Sequence, residues 1–370
     1  MKRYLSKNNR VLFIGILIIA AGIVYGLFAF PIVGEQIVCG EHGNDGIDFK
    51  GYVTIGGIPQ WVTVKGNDCS NPVVLMVHGG PGNPSSLYSD SQYIGWEDDF
   101  ILVHWDQRGS GKTFEANQEI GEVTEEMLNA TELSIDLLVK DGLEVANLIS
   151  RKLKKERIVL TGTSWGSVIA VKMAARSPEK FYFYVGVSQL VNYDRNLADS
   201  YHSVLSIAKE KGDQAAVSQL EEIGEPPWTN PRNFGVMRRI ISTYENAASD
   251  ALPELKRGSE YDTYEARTAY ATGEEFSFVK FVGLQGDGMA QTIELDVNHT
   301  EFEIPIIFIQ GESDLLTMPH ITLAYFDAIS APEKEYVLVE RSAHNPTKNM
   351  LARQKEIILK YLANSGIGNP

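Results

Sequence analysis

The sequence predicts an α/β fold: a mostly parallel twisted sheet with helices on both faces, a helical cap inserted into it, and a membrane-spanning helix in front. Three observations predict it. Short apolar runs alternate with helical spacing of apolar residues over most of the chain, the alternation stops between about residues 194 and 300 before resuming, and residues 11–34 carry no charge. Strands of a parallel sheet are buried on both faces and read as continuous apolar runs separated by helices.

Residues 11–34 are long enough, at about 1.5 Å per residue, to cross a hydrocarbon core of about 30 Å. Lys2, Arg3, Lys7 and Arg10 precede them, and Glu35, Glu41 and Asp45 follow. Retention of positive charge on the cytoplasmic side puts residues 1–10 inside and the rest outside, anchored to the bilayer by a single pass. The alternative is a cleaved signal peptide and a secreted protein, although such apolar regions run to only about 7–15 residues. Either way the folded part leaves the cytoplasm. Cys39 and Cys69 both lie near the start of that part, and in an oxidising compartment they either pair or remain unrelated thiols.

Beyond the anchor, Tyr52–Ile55 and Trp61–Val64 flank Gly56-Gly57 as a β-hairpin. The strands of the sheet follow at Val73–Val77, Phe100–Trp105, Arg157–Gly162, Phe181–Val187, Pro305–Gln310 and Glu335–Val339. Helices are expected over Leu133–Lys154, Trp165–Arg176 and Pro346–Leu362. The first part of the core thus spans 35–193, the cap 194–300 and the second part 301–370. The cap holds 18 Asp and Glu against 10 Lys and Arg, in a chain of 370 residues with net charge −15. Such a surface repels phosphates, so nucleic acid is not an expected partner.

Chemistry is concentrated in three places. Gly162-Thr163-Ser164-Trp165-Gly166 follows a strand and opens a helix, the setting in which a G-x-S-x-G run exposes a nucleophilic serine on a tight turn in the α/β-hydrolase fold. His78-Gly79-Gly80-Pro81-Gly82 follows another strand. Its bare backbone suits an oxyanion hole, with the N–H groups of Gly80 and Trp165 as donors and His78 as a structural residue. Chain order in this fold is Ser, acid, His, which selects Asp314 after one late strand and His344 after the next. Glu312 is the alternative acid. The remaining histidines, His42, His104, His202, His299 and His320, lie outside that order. Gly111-Lys112-Thr113 resembles the end of a phosphate-binding loop, but Asp106 occupies the required first glycine, so no nucleotide is expected. Asp106-Gln107-Arg108-Gly109 reads instead as a supporting turn. No Cys or His spacing suggests a metal.

Taken together, HGGPG at 78–82, DQRGSGKT at 106–113 and GTSWGS at 162–167, followed by Asp314 and His344, resemble the prolyl aminopeptidase (proline iminopeptidase) family. The resemblance covers about residue 50 to the end. It implies a cofactor-free serine peptidase that releases the N-terminal residue, often proline, of short peptides, with cap carboxylates holding the substrate ammonium. Glu245, Glu260 and Glu265 are candidates for those carboxylates. The chain departs from the family in lacking its W-x-x-W-E cap segment, with Trp228 the one tryptophan of the cap, and in carrying Thr163 where glycine is usual. An esterase or amidase acting on a small molecule, and a non-catalytic binding protein on the same scaffold, are the alternative readings.

Overall fold

The computed structural model describes residues 36–40 and 45–366. The expected anchor over 11–34 lies outside the described residues, and among those described no helix is long and apolar enough to cross a membrane. Cys39 and Cys69 form a disulfide, with Cα atoms 6.0 Å apart.

Strands β1 (Ile47–Ile55) and β2 (Ile58–Gly66) make the hairpin, turning through Gly56 and Gly57, both at positive φ. They are longer than expected because Lys50 and Lys65 interrupt the apolar pattern on the outer face while the ladder continues beneath them. Then come β3 (Val73–Val77), β4 (Ile101–Trp105), α1 (Gly111–Asn117), α2 (Ile135–Leu153), β5 (Ile158–Thr163), α3 (Trp165–Arg176) and β6 (Phe181–Val187). Four cap-region helices of ten residues or more follow: α4 (Tyr193–Lys211), α5 (Gln214–Ile223), α6 (Arg232–Ala248) and α7 (Tyr264–Val282). The chain returns to the sheet with β7 (Ile306–Gly311), α8 (Pro319–Ala328), β8 (Lys334–Val339) and α9 (Lys348–Asn364).

The sheet order is β1-β2-β4-β3-β5-β6-β7-β8. β1, β2 and β4 pair antiparallel and the other pairs are parallel. Because strand side chains alternate, Val73, Leu75 and Val77 enter one core with α2 and α3, while Val74 and Met76 enter the other with α9. Both faces are therefore covered, and each fully buried aliphatic contributes about 1.5–3 kcal/mol. Local signals agree with the packing. The Ser134 hydroxyl accepts from Leu137 N–H to start α2, which has Asp136 in its first turn and Arg151 and Lys152 in its last.

The cap region divides in two. α4, α5 and α6 share a small core of their own, built on Val204, Leu220, Trp228, Met237 and Ile241. α7 instead joins the main core, where Phe276 meets Phe114 of α1 at a ring separation of 5.5 Å. Strand β3 pairs β4 on one side and β5 on the other, so the loops leaving β3 and β5 diverge around a crevice at the carboxyl ends of the strands. Ligands of open α/β sheets bind at such switch points.

Candidate active site

Ser164 sits in that crevice, between the end of β5 and the start of α3, at φ 52 and ψ −124. A non-glycine residue is strained there, and the surrounding contacts hold it. Ser164 N–H donates to the Val187 carbonyl, and Ser167 N–H donates back to the Ser164 carbonyl. A Cβ on Gly166 would lie 2.3 Å from the carbonyl oxygens of both Val77 and His78, so only glycine lets α3 approach β3 this closely.

His344 Nε2 is 2.9 Å from Ser164 Oγ, and His344 Nδ1 is 3.1 Å from each carboxylate oxygen of Asp314. Asp314 is fully enclosed and accepts from Leu316 N–H, Thr317 N–H, the Thr317 hydroxyl and the Gln310 amide. Burial alone would raise its carboxyl. The adjacent His344 and these donors outweigh burial and hold it below the ordinary carboxylate range. A carboxylate facing Nδ1 keeps the proton there and leaves Nε2 to accept from the serine hydroxyl. Glu312, the alternative acid, is exposed, and no hydrogen bond joins it to His344.

Gly80 and Trp165 line the same cavity as Ser164 and His344, and neither backbone N–H has an acceptor among the described residues. The glycine loop is held from below. Gln107 donates its side-chain amide to the His78 carbonyl and its backbone N–H to His78 Nε2. Burial lowers His78 to about 4, so the ring is neutral and structural. The turn after β4 supports this arrangement as expected: Arg108 pairs with the buried Asp141 at 2.9 Å. Asp106 accepts from Lys112 N–H and the Ser86 hydroxyl, and burial raises it to about 7. Thr113, which would face a metal–nucleotide in a phosphate loop, donates to the Asp106 carbonyl instead.

The cavity encloses about 910 Å³, within the range of small-molecule sites. Its walls are largely apolar, with Phe234 of α6 and Phe278 of α7 stacked at 5.5 Å. None of the three candidate cap carboxylates lines it. Glu245 is buried beside the triad, but it accepts from Leu315 N–H and pairs with Arg238. Burial raises its carboxyl, and Asp314 adds to that against the pull of His344, Leu315 N–H and Arg238. Glu260 pairs with Lys50 of β1, and Glu265 is exposed in the first turn of α7.

Glu274 and Glu275 are the carboxylates that do line the cavity. Glu274 is exposed where it opens onto the cavity. Partial desolvation by the neighbouring protein raises its carboxyl, an effect reduced by the Asn83 amide at 3.3 Å. No cation among the described residues pairs with it. Sequence periodicity gave little access to these two residues. The available signal was the adjacent acidic pair Glu274-Glu275 in a segment, Tyr270–Val282, whose one other charge is Lys280.

Residues 68–349 match the family model described as serine aminopeptidase, S33. The chain is 27% identical over 310 residues to "Probable aminopeptidase YbaC" of Bacillus subtilis (strain 168), covering 80% of this chain and 90% of that one. It is 21% identical over 318 residues to the proline iminopeptidase of Lactobacillus delbrueckii subsp. lactis, covering 84% and 97%. The crystal structure of proline iminopeptidase from Mycobacterium smegmatis superposes with a TM-score of 0.58 at 15% identity, over 86% of this chain and 100% of that one. The chain belongs to the serine aminopeptidase S33 family and is a hydrolase with the α/β-hydrolase fold of the prolyl aminopeptidases.

Proposed function

We propose that the protein is an aminopeptidase that removes the N-terminal residue of short peptides through an acyl-enzyme on Ser164. The observation that carries this reading is the relay from Asp314 through His344 to Ser164 Oγ, opening onto a cavity also lined by Glu274, a carboxylate with no cationic partner among the described residues.

In this mechanism His344 Nε2 takes the Ser164 proton as Oγ attacks the carbonyl carbon of the first residue. Asp314 holds the imidazolium that forms. The oxyanion receives the N–H groups of Gly80 and Trp165, donors of a kind whose single loss typically costs about 100–1000-fold in rate. His344 then protonates the departing amine, and water repeats the sequence to free the acyl group and restore Ser164. The α-ammonium lies two bonds from the attacked carbon, so its anchor must stand beside the oxyanion loop. Glu274 meets that requirement through Asn83, two residues beyond Pro81, with Glu275 as the second carboxylate.

Export fits the same reading. The uncharged residues 11–34 would anchor the chain in the bilayer with the hydrolase outside, and the Cys39–Cys69 disulfide is compatible with an oxidising compartment. The test compares prolyl and alanyl arylamides with free and acetylated N-termini, beside a Ser164→Ala control. Hydrolysis of free-amine substrates alone, lost in the variant, is expected. Equal activity on acetylated substrates, or activity on esters alone, would refute the aminopeptidase assignment and favour an esterase.

A further inference from the structure

The cavity has a cationic wall that the proposed chemistry at Ser164 does not use. Arg232, Arg238 and Arg239 of α6 all line it. Arg238 is partly neutralised by Glu245 at 3.3 Å, but Arg232 and Arg239 form no ion pair among the described residues. Both are solvent-exposed and stand in a chain of net charge −15, whose cap region is itself acidic. Two guanidinium groups left unpaired on a concave wall, with carboxylates abundant elsewhere, form a receptor for an anion supplied from outside. Arg matches the two oxygens of a carboxylate particularly well.

Position fixes which part of a substrate this wall meets. Arg238 Nη2 donates to Asn345 Oδ1 at 3.2 Å, and Asn345 directly follows His344, the group that hands a proton to the departing amine. The arginine wall therefore flanks the leaving-group half of the cavity. Glu274 is tied to Asn83 on the oxyanion loop and flanks the acyl half. An extended chain advances about 3.3–3.6 Å per residue, so a terminal carboxylate one or two residues beyond the scissile bond stays within the same cavity. We infer that α6 supplies a carboxylate subsite on the leaving-group side, formed by Arg232 and Arg239 with Arg238 behind them, which selects di- and tripeptides with a free C-terminus.

The inference rests on the aminopeptidase reading, and the experiment separates the two. With the full chain in detergent at low salt, kcat/KM is measured for alanyl-alanine and alanyl-alanine amide. A parallel experiment uses N-acetyl-alanyl-alanine and its amide as competitive inhibitors of 4-nitrophenyl ester hydrolysis. The expected result is a preference of about tenfold for the free acid in both settings, equivalent to roughly 1.4 kcal/mol. In Arg232→Gln/Arg239→Gln the acid-to-amide ratio falls towards one. A ratio taken within one enzyme does not depend on how much of it is folded. An amidated peptide with glutamate after the scissile bond separates recognition of a side chain from recognition of the terminus, and full replacement of the terminus by that glutamate would overturn the C-terminal assignment. Peptide hydrolysis with a ratio near one, and equal inhibition by acid and amide, would overturn the subsite while leaving the aminopeptidase standing. Tighter inhibition by the acid without any peptide turnover would keep the subsite and remove the aminopeptidase.

Discussion

Replacement of Asp314 by asparagine separates the chemical role of this side chain from its structural one. Every group facing the carboxylate is a donor: Leu316 N–H and Thr317 N–H at Oδ1, the Thr317 hydroxyl and the Gln310 amide at Oδ2, and His344 Nδ1 at 3.1 Å from both. The new NH2 must take one of these positions. The Oδ1 side is closed to it, because two fixed backbone donors converge there. The Oδ2 side can adapt: the Thr317 hydroxyl can rotate to accept, and Gln310 Oε1, buried without a partner among the described residues, becomes an acceptor if that amide flips. The flip disconnects Gln310 from the Thr317 carbonyl, so Asp314→Asn is expected to fold with a loss of about 1–3 kcal/mol. Its NH2 then faces His344 Nδ1 and selects the tautomer whose proton is on Nε2, which cannot accept from Ser164. A fall in kcat of about 1,000–10,000-fold is expected, or about 4–5.5 kcal/mol of transition-state stabilisation. Arylamide turnover and the rate of Ser164 labelling by a fluorophosphonate should fall together while circular dichroism stays unchanged. A folded variant that retains a tenth or more of the rate would refute this reasoning and return Glu312 to consideration.

Glu274→Gln should raise KM and lower kcat/KM on free-amine substrates by about ten- to a hundredfold, the worth of one charge-assisted contact. Because the Glu274 carboxyl is raised in the folded protein, its stabilising contribution is present at low pH and lost as pH rises through the folded value. The same variant should therefore melt higher than the parent at pH 8, with the gap closing below the ordinary glutamate range; a gap that grows on acidification would contradict the sign. Arg108→Gln leaves Asp141, which is 1% exposed, without its cation and with the Gln60 amide still donating to it; a cost of about 3–5 kcal/mol in urea unfolding is expected, with loss of less than 1 kcal/mol refuting a buried-pair role. Cys39→Ser/Cys69→Ser opens a loop whose ends are 30 residues apart and should lower unfolding free energy by about 3–4 kcal/mol on the chain-entropy account. An unchanged midpoint would mean that the segment around Cys39 is held by packing alone.

These residues also show what a sequence can disclose. The elbow at Ser164 is a local device: the strand, the turn and the helix that create its geometry are contiguous, and Gly166 records in one letter the approach of α3 to β3. Asp314 and His344 lie 150 and 180 positions beyond Ser164, yet each directly follows a strand of the same sheet. Chain order therefore substitutes for distance, and the structure brings them to 3.1 and 2.9 Å contacts. The parallel strands were legible for a related reason, since burial on both faces leaves a continuous apolar run.

The cap has no such frame. Whether one of its carboxylates meets substrate depends on how α4 to α7 pack on one another and on the sheet, and amphipathic spacing says only which face is buried. Glu245 illustrates the ambiguity. It does lie beside the triad, but Leu315 N–H and Arg238 already occupy its oxygens. The proposed binding group, Glu274, is distinguished by the reverse condition, a place on the cavity wall with partial desolvation and no cationic partner among the described residues. That condition is a property of the assembled structure, invisible to residue type, and it also raises the group's carboxyl. On the proposed reading, a bound ammonium supplies the charge partner that this partly desolvated carboxylate lacks. Free-amine substrates should thus raise the melting temperature more than their acetylated counterparts do, even with Ser164→Ala, where no chemistry follows binding. Equal shifts from the two would place the ammonium away from Glu274.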